Sequence, residues 1–176
     1  RGTRAPGEKE RMRIYSLKDA YEMIFCKLAD MTPEKTLRYQ NVYHKLTDFE
    51  NMRLSFDELE SIIAAPDFYS DWVGALSTTY AIYLITDTAS GQQYVGSAYG
   101  KNGLYGRCSE YVNTKHGGNK KMRELLKKHP ERYHRFQFSI LQTLPKSLAV
   151  DNVSVIEVES LWKSKLNTIE FGLNDN

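Results

Sequence analysis

The sequence predicts an α/β (α+β) protein in which a small three-stranded β-sheet is flanked by helices and preceded by an N-terminal helical extension. Residues 80–85 and 93–96 are rich in β-branched and aromatic side chains, and the turn-forming stretch 87–91 separates them, which is typical of a β-hairpin. Residues 135–141 alternate between polar and apolar side chains, which indicates a third strand. Helical patterns occupy the rest, and the order β-β-α-α-β-α predicts a sheet packed against helices.

The chain divides into a predicted extension, residues 1–77, and a predicted α/β domain, residues 78–176. We expect three helices in the extension, with N-caps at Ser16, Thr32 and Ser55. A further helical turn near Trp72 is expected to anchor the extension on the domain, because a large aromatic side chain buries much apolar surface.

Three helices are predicted in the α/β domain. The first follows a glycine-rich loop and carries Arg107 and Tyr111, the second is the basic stretch 119–128, and the last covers residues 153–166.

Composition and length narrow the class of protein. A chain of 176 residues accommodates one ordinary domain with an extension. No apolar run approaches the length of a membrane span, so we expect no membrane partner and a cytoplasmic location. Cys26 and Cys108 lie far apart, and His44, His129 and His134 show no ligand spacing with them, so no zinc site is predicted.

Positive charge is concentrated in one stretch of the chain, although the formal net charge of the whole is only +2. Residues 101–135 contain ten basic and three acidic residues, a local net charge of +7. Such a stretch is typical of a surface that binds a polyanion, and each DNA phosphate that it neutralises adds to the affinity. An ordinary solvated helix face would give a similar pattern over part of this stretch.

Short motifs in the C-terminal half occur in a distinctive order. They are Ala81-Ile82-Tyr83, Tyr94-Val95-Gly96, Arg107 with Tyr111, Glu159, and Gly172-Leu173-Asn174. This order resembles the GIY-YIG nuclease superfamily over essentially all of the predicted α/β domain. Ala81 replaces the first glycine of the family's first motif, and Tyr111 stands where many members carry histidine and some restriction enzymes carry tyrosine.

The resemblance implies a metal-dependent DNA endonuclease that hydrolyses phosphodiester bonds. Its candidate catalytic residues are Tyr83, Tyr94, Arg107, Tyr111 and Glu159. The planar guanidinium of Arg107 suits a phosphate, and Glu159 would supply one carboxylate to Mg²⁺ or Mn²⁺. Tyr83 would be the general base and Tyr94 would orient water or substrate, although a free tyrosine titrates near pH 10. Read alone, Glu159 could equally be half of a helical ion pair with Lys163.

Five further residues are candidates for substrate binding: His116, Asn119, Lys120, Lys121 and Asn174. His116 could contact a phosphate or act on a proton, and an ordinary loop histidine is an equal alternative. For Asn174, bracing the site by hydrogen bonds is favoured over contact with the reacting groups.

The loops 97–103 and 114–119 resemble those of bacterial restriction-type members, so a restriction or phage-defence enzyme is the leading expectation. The alternatives are a DNA repair or mobile-element nuclease, and a non-catalytic DNA-binding module of the same fold. DNA is the expected partner in every case, and a homodimer is left open because the extension could form one.

Overall fold

The structure is a computed structural model that describes residues 46, 48–149 and 152–175. The helix predicted from Ser16, and nearly all of the one predicted from Thr32, lie outside the described residues. The described residues therefore contain the third predicted helix, the predicted turn near Trp72 and the α/β domain.

A four-stranded antiparallel sheet forms the centre of the described part. Its strands are β1 (Arg53–Ser55), β2 (Tyr80–Asp87), β3 (Gln93–Ala98) and β4 (Phe136–Leu144), in the spatial order β1-β4-β2-β3. The three predicted strands are confirmed as β2, β3 and β4. The expected strand number was too small by one, because β1 is only three residues long and shows no alternating pattern of its own.

All the helices except the short α5 occupy predicted places. They are α1 (Phe56–Ala64), α2 (Ser70–Thr78), α3 (Gly103–Thr114), α4 (Lys120–Lys128), the short α5 (Lys146–Ala149) and α6 (Asn152–Leu166). Ser55 caps α1 as predicted: its side chain accepts a hydrogen bond from the backbone of Glu58, whose carboxylate in turn accepts from the Ser55 backbone. Short 3-10 helices at Phe49–Asn51 and Pro130–Arg135 were not predicted.

Helices cover both faces of the sheet. On one face, Val155 of α6 packs in a buried cluster with Ile82, Val95 and Leu144. On the other face, α3 packs against β2 and β3 and also contacts α1 and α2. Strand side chains alternate between faces, so neighbouring residues of β2 belong to different layers of the core.

Helices α1 and α2 belong to the same compact unit as the sheet. That unit runs from Val42 to Asn176, so this part of the predicted extension packs with the α/β domain. Trp72 of α2 is 2% exposed, which agrees with its predicted role as a packing anchor. The boundary predicted between residues 77 and 78 stays a prediction.

An irregularity in the sheet lies beside Tyr83. In the pairing of β2 with β4, Ile82 is opposite Gln142 whereas Tyr83 is opposite Ile140, so Leu141 is an extra residue on β4. Such a β-bulge bends a strand and increases its twist, and bulges are frequent next to active sites.

Within the described ranges, no helix is long and apolar enough to cross a membrane.

Candidate active site

Four of the five predicted catalytic residues meet on the α3 face of the sheet. The hydroxyls of Tyr83 and Tyr111 lie 3.3 Å apart, and Nε of Arg107 donates to the Tyr83 hydroxyl at 3.3 Å. The Tyr94 ring centroid is 6.3 Å from that of Tyr83 and 6.4 Å from that of Tyr111. We call Tyr83, Tyr94, Arg107 and Tyr111 the tyrosine–arginine cluster.

Regular secondary structure explains why these side chains converge. In the β2–β3 hairpin Tyr83 is opposite Gly96, and Tyr94 is two residues before Gly96, so Tyr83 and Tyr94 project from the same face. Arg107 and Tyr111 are four residues apart on α3 and share one side of that helix. The guanidinium of Arg107 lies over the Tyr111 ring, 5.7 Å from its centroid.

Two glycines lie directly against the rings of the cluster. A Cβ atom at Gly96 would stand 2.4 Å from the Tyr83 hydroxyl, and one at Gly117 would stand 2.4 Å from the Tyr111 ring. Gly117 also has a φ of +54°, which L side chains rarely adopt. Both positions therefore require glycine, and the sequence analysis assigned no such role to Gly117.

Ala81, which replaces the glycine of the first motif, belongs to the core. It is fully buried and lies opposite Ala98 on β3 and Thr143 on β4.

Burial controls the acidity of the tyrosines. Tyr83 is 2% exposed, and this burial, together with Tyr94, raises its pKa well above the usual value near 10, while Arg107 and Tyr111 lower it by less. Burial raises the pKa of Tyr111 in the same way. Both hydroxyls are therefore protonated at neutral pH in the free protein, and this opposes the predicted general-base role of Tyr83.

Glu159, the fifth predicted catalytic residue, contacts side chains outside the tyrosine–arginine cluster. Its carboxylate accepts a hydrogen bond from the Ser97 hydroxyl and forms an ion pair with Lys163 at 2.7 Å, the alternative that the sequence had left open. By strand alternation Ser97 projects to the face opposite Gly96. Across the described ranges, these two side chains are the hydrogen-bond and ion-pair partners of Glu159, so no such contact joins it to the tyrosine–arginine cluster.

The fit of a metal ion to Glu159 depends on what the substrate contributes. Within the part of the chain that the structure describes, no group of three or more His, Cys, Asp or Glu side chains could hold a metal. A single carboxylate still fits Mg²⁺ in donor type, because this ion takes one or two carboxylates and completes its shell with water and substrate phosphate. The ammonium of Lys163 shows that the carboxylate already attracts one cation.

Three predicted substrate-binding residues hold the C-terminal segment in place. The Asn119 side chain caps α4 by accepting from Met122 N at 2.7 Å, and it donates to Leu173 O at 3.0 Å. Lys121 Nζ donates to Ile169 O at 2.8 Å. The amide of Asn174, 2% exposed, pairs with both backbone groups of Val95, at 2.9 Å and 2.8 Å. Through these two hydrogen bonds Asn174 holds the C-terminal segment against β3.

The other two candidates are more accessible. Lys120 is exposed at the start of α4. Nδ1 of His116 accepts a hydrogen bond from Gly118 N at 3.0 Å, which places the proton of the neutral ring on Nε2. Partial burial and the charge of Arg123 lower the pKa of His116, although Glu110 acts in the opposite direction, and this lowering favours the neutral ring.

Glu110 is a charged neighbour of the site that the sequence analysis did not single out. Its carboxylate forms an ion pair with Nη1 of Arg107, three residues earlier on α3. The spacing was visible in the sequence, because side chains at i and i+3 are neighbours on a helix.

Comparison with known proteins supplies the family to which the chain belongs. Residues 79–174, more than half of the 176-residue chain, match the family described as the GIY-YIG catalytic domain. The chain belongs to this family and carries its endonuclease domain.

Two solved structures resemble the chain. One is a mutant of the catalytic domain of the intron endonuclease I-TevI, with 25% identity over 56% of this chain and 95% of that chain, and a TM-score of 0.44. The other is the catalytic domain of the homing endonuclease I-TevI, with 27% identity over 54% of this chain and 96% of that chain, and a TM-score of 0.42. No curated protein matches the chain.

Gly96→Ala is expected to reduce DNA cleavage about a hundredfold, since a displacement of reacting groups of about 1 Å costs that order of rate. The new Cβ would stand 2.4 Å from the Tyr83 hydroxyl and 2.9 Å from a Tyr94 ring carbon, so both rings must shift. Gly100→Ala is the control, because nothing lies within 4 Å of its added Cβ. Equal cleavage rates for the two variants would contradict this account.

Asn174→Ala is expected to lower the free energy of unfolding by about 1–3 kcal/mol, because the buried N–H and C=O groups of Val95 lose their partner. Urea denaturation measures the change, and the exposed neighbour Asp175→Ala should stay within about 0.5 kcal/mol of wild type. Unchanged stability combined with weaker DNA binding would instead make Asn174 a substrate contact.

Proposed function

We propose that the protein is a DNA endonuclease that depends on Mg²⁺ or Mn²⁺ and serves as a restriction or phage-defence enzyme. The observation that carries this proposal is the tyrosine–arginine cluster, in which Arg107 is held within 3.3 Å of the Tyr83 hydroxyl on the family's hairpin. The restriction type rests on Tyr111 in the family's histidine position and on the loops 97–103 and 114–119.

Arg107 is the proposed phosphate-binding residue. Its side chain is 33% exposed, so a DNA phosphate can approach it, while its inner edge is fixed by Tyr83 and its flat face by the Tyr111 ring. A guanidinium stays charged at every relevant pH and matches phosphate oxygens with parallel hydrogen bonds. It would stabilise the negative charge that develops on the phosphoryl oxygens during hydrolysis.

Tyr83 is the proposed general base, with Tyr94 adjacent to orient the attacking water. Because burial raises the pKa of Tyr83, proton acceptance requires that substrate binding bring further positive charge or water to its hydroxyl. The Tyr111 hydroxyl, 3.3 Å away, is a hydrogen-bond partner through which a proton could be passed.

Glu159 would hold the metal ion, and Lys163 would then lose its ion-pair partner. A bound divalent ion supplies Lewis-acid stabilisation of a phosphoryl oxygen. Ser97 would keep one carboxylate oxygen oriented by its hydrogen bond, as it does in the structure.

The exposed side of α4 is the proposed contact with the DNA backbone. Lys120, Arg123 and Lys127 are exposed and occupy positions i, i+3 and i+7, so they form one row of positive charge along the helix. Lys121 contributes less because its ammonium donates to the C-terminal segment.

Glu159→Gln is expected to abolish Mg²⁺-dependent cutting of supercoiled plasmid and phage DNA, because a neutral amide oxygen is a much weaker ligand for Mg²⁺ than a carboxylate. Agarose gels with Mg²⁺ or EDTA measure the cleavage. Glu157→Gln, an exposed glutamate on the same helix, is the matched control and should cut like wild type.

Cleavage by Glu159→Gln at the wild-type rate would remove this residue from the metal site. If the wild-type chain binds these DNAs and cuts none with either metal, a non-catalytic binding module is the better description. Palindromic cut sites would indicate a twofold dimer, and asymmetric sites a monomer.

Tyr83→Phe is expected to abolish cleavage, because it removes the hydroxyl that touches both Arg107 and Tyr111. Binding of a short DNA duplex in EDTA should change by less than about threefold, since the phosphate is held by Arg107 and the basic side chains of α4. Tyr105→Phe on α3 is the control. Full cleavage by Tyr83→Phe would show that Tyr83 is not the base.

A further inference from the structure

We propose that Glu110 is a built-in competitor of DNA at the proposed phosphate-binding residue. Its carboxylate is paired with Arg107 in the free protein and competes with a phosphate for the same guanidinium. Glu110 thereby lowers the affinity for DNA that makes few other contacts with the protein. This inference rests on the proposed function of Arg107.

The shape of the guanidinium group gives the first step. A guanidinium can grip an oxyanion with two parallel hydrogen bonds along one of two edges, either Nε with Nη2 or Nη1 with Nη2. In the structure Nε donates to the Tyr83 hydroxyl and Nη1 is paired with Glu110. Each edge therefore has one of its two nitrogens engaged, and a phosphate that binds an edge at two points competes for a nitrogen that already has a partner.

Burial decides which contact opens. The Tyr83 hydroxyl is buried and contacts both Arg107 and the Tyr111 hydroxyl, so separation from Arg107 would remove one of these two partners at a place where water cannot readily replace it. Glu110 has a side chain that is 41% exposed, and water can solvate its carboxylate after release. An ion pair at this exposure is weak enough to exchange with a phosphate.

The surroundings of Glu110 provide a place for the released carboxylate. Its Oε1 lies 3.8 Å from the Cβ position of Gly118, and Nη2 of Arg123 donates to Gly118 O at 3.3 Å. Glu110 and Arg123 also shift the pKa of His116 in opposite directions, after the larger effect of burial, so both charges stand close to that ring. Arg123 is therefore a neighbouring cation towards which Glu110 can turn.

Selectivity follows from this competition. Any phosphate that reaches Arg107 competes with Glu110, which reduces binding to arbitrary DNA. A phosphate that is also positioned by contacts elsewhere on the protein displaces Glu110 more readily, because the other contacts hold it near Arg107 at a high effective concentration.

The test measures binding of the full chain to a short random-sequence DNA duplex, in EDTA and at several salt concentrations. Glu110→Gln should bind about twofold to fivefold more tightly than wild type, the range that corresponds to loss of an exposed ion pair. Its salt dependence should steepen by up to about 0.9 log units per log unit of salt, which is the effect of one more neutralised phosphate.

Two controls separate this effect from a general change of charge. Glu124→Gln removes the same charge from an exposed position on α4 and should give at most half of the gain in affinity. In an Arg107→Ala background, the additional gain of Glu110→Gln over Glu124→Gln should disappear. A gain no larger than that of Glu124→Gln, or an additional gain that persists without Arg107, overturns the proposal.

The same measurements distinguish failure of this inference from failure of the proposed function. If Arg107→Ala leaves both affinity and salt dependence unchanged, Arg107 does not bind phosphate, and the proposed function fails together with the role of Glu110. If Arg107→Ala weakens binding and Glu110→Gln does not strengthen it, only the role of Glu110 is wrong.

Discussion

The register of the β2–β3 hairpin is the constraint on which the candidate site depends. Because Tyr83 is opposite Gly96, the absence of a side chain there leaves room for the Tyr83 ring. A shift of this pairing by one residue would turn Tyr94 to the face of the sheet opposite Tyr83. The bulge at Leu141 on β4 and the pairing of Asn174 with the edge of β3 hold this hairpin from its two sides.

The cluster combines burial with charge in a way that favours binding over proton transfer in the free protein. Tyr83 and Tyr111 are protonated because burial raises their pKa values, and Arg107 is the charged group of the cluster that still reaches solvent. Glu110 compensates much of that charge from the solvent side. Substrate and metal would thus enter a site whose two proposed charged groups, Arg107 and Glu159, each already have a partner of opposite sign.

Much of the fold could be predicted from sequence because the relevant signals are local. Runs of β-branched and aromatic residues predicted β2 and β3, alternation predicted β4, and Ser55 as an N-cap predicted the start of α1. The strand Arg53–Ser55 was missed because three residues carry no usable period, and its pairing partner Phe136–Leu144 is some eighty residues away in the sequence. The grouping of α1 and α2 with the sheet likewise depends on contacts between distant residues.

The sequence by itself determined which residues could form the site, since motif order and helical or strand spacing place Tyr83, Tyr94, Arg107 and Tyr111 on converging faces. Only the tertiary structure decided how deeply these side chains are buried and which groups they contact. Burial, which raises the pKa of Tyr83, depends on every element packed around the ring. The hydrogen bonds of Glu159 with Ser97 and of Asn174 with Val95 could not be predicted either, because residues distant in sequence become neighbours only after the sheet and helices have packed.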